Sequence, residues 1–212
     1  MKFSVILPLL PLLAVASPTC KPSSPGDSLT AAQIEAVAPK SSSCANPDEV
    51  APEECATAAQ AAPALTTAFK KYGVTSKAEQ AAVLGLIAME SGEFRFSRNH
   101  FPSPGVEGKG TRNMQSPDFN KEYAASIDAL KERFEAVKSQ PGKVLDLLLE
   151  DPAVDFGSGS WFLTTQCEDS VRKTLQSGSE EGWEGYIVDC VGTEANEERK
   201  GYWTAAVKAL GA

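Results

Sequence analysis

The chain reads as a mostly α protein with one folded domain. Three observations lead there. Apolar residues recur at helical spacing in segment after segment. Residues that start and stop helices punctuate those segments. No run of useful length alternates apolar and polar residues as a half-buried strand would, so a small hairpin within 94–115 is the most β structure expected.

Taken in order, residues 1–16 have the form of a secretory signal peptide. Lys2 precedes the apolar run VILPLLPLLAVA, and Ala14-Val15-Ala16 suits cleavage. No later apolar run reaches the roughly 18 residues of a membrane span, so a secreted, extracellular protein without a membrane partner is expected. Residues 17–43 form a Pro/Ser-rich lead-in with a short helix in LTAAQIEAVAP that stops at Pro39. The folded domain is placed at 44–212. Its first helix covers about 56–71, with Pro63 as a kink or a new start, and Tyr72-Gly73 ends it.

The central helix is 77–90. Ser76 and Glu79 have the spacing of a capping box, and Val83, Leu86, Ile87 and Glu90 share one face. An apolar stripe thus runs into a carboxylate just before the helix-ending Ser91-Gly92. Loss of solvent disfavours a charged carboxylate, and a protonated carboxyl can donate a proton to a leaving oxygen.

Residues 91–117 hold four glycines, three prolines and three phenylalanines, a long loop of the kind that often carries function. Beyond it, a helix is expected from about 118 to 138 with Asp118 as N-cap, then a turn at Gln140-Pro141-Gly142. A short buried helix follows in KVLDLLLE, and in AVDFGSGSWFLTTQC a tightly packed helix is favoured over a short strand, with Trp161 and Phe162 read as core. Further helices are expected after Ser179 and over 194–210.

The net charge is −8, which suits neither nucleic acid nor an anionic membrane surface. Export permits disulfides. Cys44 with Cys55 and Cys167 with Cys190 are local couples; these four cysteines admit three pairings, and the local one is adopted, leaving Cys20 over. With no CxxC spacing and a single histidine, His100, no metal site is expected.

The Glu90-Ser91 helix end, followed by Asn113-Met114-Gln115, resembles the ES…MQ pattern of goose-type lysozymes and lytic transglycosylases in the lysozyme-like superfamily. The strings NHFP, GTRNMQ and WFLTTQC are similar to those of a group of small secreted fungal proteins. The resemblance implies a lysozyme-like catalytic domain over 44–212 and a secreted glycoside hydrolase, muramidase-like, that needs no cofactor and acts as a monomer. Its substrate would be an N-acetylhexosamine polymer, peptidoglycan first and chitin or chitosan next. Glu90 would be the general acid. Glu107 or Asp155 would activate water. Ser91, His100, Arg112, Asn113, Met114 and Gln115 would lie at the substrate. The sequence departs from the pattern where Arg112-Asn113 replaces the usual Gly-Leu, and it lacks a counterpart of the later Asn-Tyr motif. The alternative is a secreted lysozyme-like protein that binds a glycan or a host protein without catalysis, as an effector or wall protein.

Overall fold

Two helices of equal length make the spine of the molecule in this computed structural model, which describes residues 1, 28–45 and 51–212. They are α3 (Lys77–Glu90) and α11 (Glu197–Leu210). Gly85 sets their distance: a Cβ there would lie 3.0 Å from the Trp203 backbone, so the missing side chain lets the two backbones meet. α3 is buried on nearly all sides, and so carries almost no polar face over 81–88.

Around this pair pack α1 (Ala31–Glu35), α2 (Ala58–Lys71), α9 (Asp169–Leu175) and α10 (Glu180–Gly185). Their apolar residues form one core with Val83, Leu84 and Ile87 of α3, and Trp183 stacks on Trp203 at 5.0 Å. A second core gathers α4 (Pro117–Ala125), α5 (Lys131–Val137), α6 (Pro141–Leu149) and α8 (Ser158–Thr165) around Tyr123, Leu148 and Trp161. The short α7 (Pro152–Asp155) joins α6 to α8. The two cores meet along Tyr72, Val191 and the Cys167–Cys190 disulfide; Cys44 and Cys55 form the other disulfide. The protein is mostly α and a single domain, as the sequence predicts. The signal-peptide segment and Cys20 lie outside the described residues.

Several local expectations need correction. Ser76 is the N-cap of α3, but its side chain accepts no capping bond, and Glu79 instead turns inward to bond Arg172 at 3.0 Å. The partly exposed Arg172 on α9 pairs with this buried carboxylate, which is thus held away from the helix end. Capping boxes do form at Thr30/Gln33 and Thr57/Gln60, ahead of α1 and α2. Pro63 lies inside a continuous α2 and so does not start a new helix. Ser116, not Asp118, caps α4. The helix expected over 118–138 breaks into α4, a short 3₁₀ turn and α5, because Ile127 adopts an extended conformation and turns into the second core. Pro141 opens α6 instead of preceding it, since proline is suited to the first turn. Residues 94–115 contain only two isolated bridges, Arg98 with Gly110 and Gly110 with Gln115.

Candidate functional site

The loop after α3 is held in a conformation that its residues would not choose alone. Glu93, Phe94, Thr111 and Met114 all have φ between +49° and +69°, the left-handed region that non-glycine residues avoid. Tertiary bonds hold these turns in place. The Ser91 hydroxyl donates to Ile87 O and accepts from Phe94 N. Glu93 accepts from Lys40 N at 2.7 Å and from the Tyr202 hydroxyl at 3.1 Å. Burial and that second bond push the Tyr202 hydroxyl up to about 12. Phe94 sits edge-on to Phe156.

Arg112 is the hub. Its Nε donates to Asp155 Oδ2 at 2.7 Å, one Nη to the Phe94 and Phe96 carbonyls, and the other to the Glu54 carbonyl at 2.9 Å. The guanidinium also lies over the Phe156 ring. A rigid planar fork with many donors suits such a junction, where one side chain satisfies several loop carbonyls. Glu54 completes the junction from the other side. One of its oxygens accepts from Ser97 N and Arg98 N, and the other bonds His100 Nε2 at 2.8 Å.

Beside this junction is a cleft of about 430 Å³, within the range of small-molecule sites. Arg112, Asp155 and Glu54 share its wall with Leu149, Pro152 and Phe156. Asp155 is almost wholly buried. Burial raises its carboxyl above the ordinary range, Arg112 pulls it back, and Glu54 adds to the rise. Its Oδ2 is taken by Arg112, while Oδ1 has no hydrogen-bond partner among the described residues.

The residues singled out in the sequence are therefore divided. Arg112 and Asp155 come together at the cleft, though as a buried ion pair. Glu90 and Glu107 are not part of its wall. Glu90 accepts from Arg199 of α11 at 2.5 Å, so the helix-end carboxylate closes the spine instead of facing a groove. Glu107 is exposed and packs against Gly142. Ser91 is fully buried, and Met114 nearly so. Gln115 accepts from Asn113 and donates to the buried Asn120, whose amide in turn donates to Gly108 O. The Arg-Asn-Met-Gln string is thus an internal brace for the loop, and His100 is bonded to Glu54 rather than reaching the cleft. Sequence reasoning missed Glu54 and Arg199, each of which meets its partner across the fold. The only local hint was the position of Glu54 next to a disulfide cysteine.

No protein-family model matches the chain. It is similar to a bifunctional dioxygenase (DOX)-epoxy alcohol synthase (EAS) of Fusarium oxysporum (strain Fo5176), 43% identical over 158 residues, which is 72% of this chain. The chain spans about 12% of the length of that relative. This likeness corrects the expectation of a glycoside hydrolase, whether muramidase, chitinase or chitosanase, because the relative's name carries an oxygenase and a synthase activity and no glycosidase activity. The geometry gives a physical reason for the same correction: the carboxyl cast as proton donor is occupied by a guanidinium and lies off the cleft. Two disulfides are present, and no helix among the described residues is long and apolar enough to cross a membrane.

Proposed function

We propose that this chain is an exported accessory domain that binds a small molecule and has no reaction centre of its own. On this reading the matching stretch of the much longer dioxygenase-epoxy alcohol synthase is an accessory part of that protein too. One observation carries the binding reading: a buried carboxyl, Asp155, with one oxygen paired and the other without a partner among the described residues, in the wall of a cleft of ligand size. Buried polar atoms are nearly always satisfied, and an exception in a cleft wall supports a water, an ion or a ligand beside it.

Oxygenase chemistry draws on a redox-active metal or organic group. The donors among the described residues do not fit a metal centre. The single histidine is held by Glu54, four of the five cysteines are in disulfides, and no group of three or more His, Cys, Asp or Glu among the described residues could hold a metal ion. The signal-peptide pattern together with the disulfides supports export, and the charge of −8 argues against a nucleic-acid partner.

Dioxygen uptake tests the reading. With the longer protein's own substrate, the purified chain should consume no dioxygen, while the longer protein lacking the matched stretch should still consume it. A chain that turns over dioxygen alone, or a longer protein whose chemistry vanishes with this stretch although it stays folded, overturns the accessory reading.

A further inference from the structure

The two disulfides stand in different surroundings. All four of their cysteines are half-buried, so exposure does not separate them. What they touch does. Cys167 and Cys190 pack against the apolar side chains of both cores. Cys55 instead lines the cleft, beside Glu53, Glu54 and Ala56. Its two neighbours in the chain carry much of the loop after α3. Glu54 accepts from Ser97 N and Arg98 N, each at 2.9 Å, bonds His100, and takes a guanidinium N–H of Arg112 on its carbonyl. The Ala56 N–H donates to Phe94 O at 2.9 Å. The stretch Glu54-Cys55-Ala56 is itself fixed on one side by α2 and on the other by the bond from Cys55 to Cys44, 11 residues back. Within the ring that this bond closes, Ala51 has φ +56°, a left-handed conformation that alanine adopts only when its surroundings impose it. Without the cross-link the ring gains conformational freedom, and the order of Glu54 rests on noncovalent contacts alone.

We propose that Cys44–Cys55 is a redox-sensitive clamp on the cleft. As the disulfide it holds Glu54 against the loop that carries Ser97, Arg98 and Arg112. A small dithiol opens it and loosens that loop, while both cores and Cys167–Cys190 stay intact. A thiolate of the dithiol attacks one sulfur of the pair; a mixed disulfide forms, the S–S bond breaks, and the other cysteine leaves with the electron pair and takes up a proton. The second thiol then attacks the reductant's own sulfur in the mixed disulfide, closes a cyclic disulfide and releases the remaining cysteine as a thiol. Two electrons and two protons pass from the dithiol to the protein. Attack requires that a thiolate reach a sulfur, and at Cys167–Cys190 that approach is hindered by the side chains of two cores. The clamp acts whatever the cleft takes, so it does not depend on the accessory reading.

Timed reduction of the purified full chain with dithiothreitol decides the matter, after any thiol at Cys20 has been blocked with N-ethylmaleimide. New thiols are trapped by a second alkylating agent and assigned by peptide mass spectrometry. Cys44–Cys55 should open about tenfold or more faster than Cys167–Cys190, because access governs the rate of exchange. In the partly reduced protein, hydrogen exchange at the Ser97, Arg98 and Ala56 amides should quicken by about tenfold or more, the mark of local opening. Fluorescence from Trp161, Trp183 and Trp203, all buried in the cores, should not change. Cys44→Ser/Cys55→Ser should show the same fast exchange without reductant; the wild-type reduction keeps the test open if this variant does not fold. Equal opening rates, earlier opening of Cys167–Cys190, or opening of Cys44–Cys55 that leaves those three amides as protected as before each overturns the clamp. Opening accompanied by loss of the tryptophan signal overturns it too, since the bond would then hold the whole fold and not one loop.

Discussion

Two arginine–carboxylate pairs in this molecule look alike on paper and differ in everything that matters. Arg112–Asp155 is buried on both sides, with 6% of each side chain exposed. Arg133–Glu150 is a two-pronged pair on the surface, with about half of each side chain in solvent. The surface pair has the better fork geometry and the smaller consequence, because water competes for both partners. The buried pair makes a single bond to its carboxylate, yet the guanidinium also closes three carbonyls of two loops. What a salt bridge does is therefore set by what else its members touch and by how much solvent is left to replace them.

The largest effect should come from Arg112→Met. Removing one partner leaves a buried carboxyl and three carbonyls without their donor, and breaking such a pair costs about 3–5 kcal/mol. Urea unfolding followed by tryptophan fluorescence measures it; a loss well under about 1 kcal/mol would put the buried pair in the surface class. The double change Arg112→Met/Asp155→Leu sharpens the point. It should recover part of the loss, since the uncompensated buried charge is gone, but not all of it, since the carbonyls stay unpaired. Full recovery would mean that the ion pair alone matters at the hub.

Arg199→Ala is expected to fall between the extremes. Its pair with Glu90 is partly buried, 13% and 22% exposed, and ties α3 to α11. A melting temperature lowered less than by Arg112→Met and more than by Arg133→Ala is the expected order.

Acid pH should separate the two main pairs by sign. Burial raises the Asp155 carboxyl, so its stabilising share is present at pH below the unfolded value of about 3.9 and is lost as pH rises through the folded value. Arg133 lowers the Glu150 carboxyl, so its share is present above about 4.3 and is lost as pH falls through the folded value. Between acid and neutral pH the stability gap between wild type and Asp155→Asn should narrow, whereas that for Glu150→Gln should widen. Slopes of the same sign would remove the distinction. The smallest effect is Arg133→Ala at neutral pH, where no measurable shift in melting temperature is expected.

The same contrast explains what could be read in advance. The span of α3, the end of α2 at Tyr72-Gly73 and the Cys44–Cys55 and Cys167–Cys190 pairs were legible, because each depends on a local signal: a face at helical spacing, a glycine, or cysteines close in sequence. Glu79 misled, since its spacing from Ser76 suits a cap while its partner Arg172 lies 93 residues away. Glu90 misled in the same way. The stripe does carry it to the end of α3, but what waits there is Arg199, 109 residues on. The Arg112-Asn113-Met114-Gln115 string looked like a ligand-facing cluster because polar residues in a glycine-rich loop commonly face solvent or ligand. Here the loop folds over them, and they bond to its backbone and to Asn120.

By itself the sequence determined the helical class, most of the helix spans and the reach of the disulfides, because backbone propensity, side-chain period and short loop closure act over a few residues. Only the tertiary structure decided which carboxyl is paired, which is buried and which is left without a donor. Those outcomes depend on charges brought together from distant parts of the chain and on how much water remains around them, and neither quantity has a local signature.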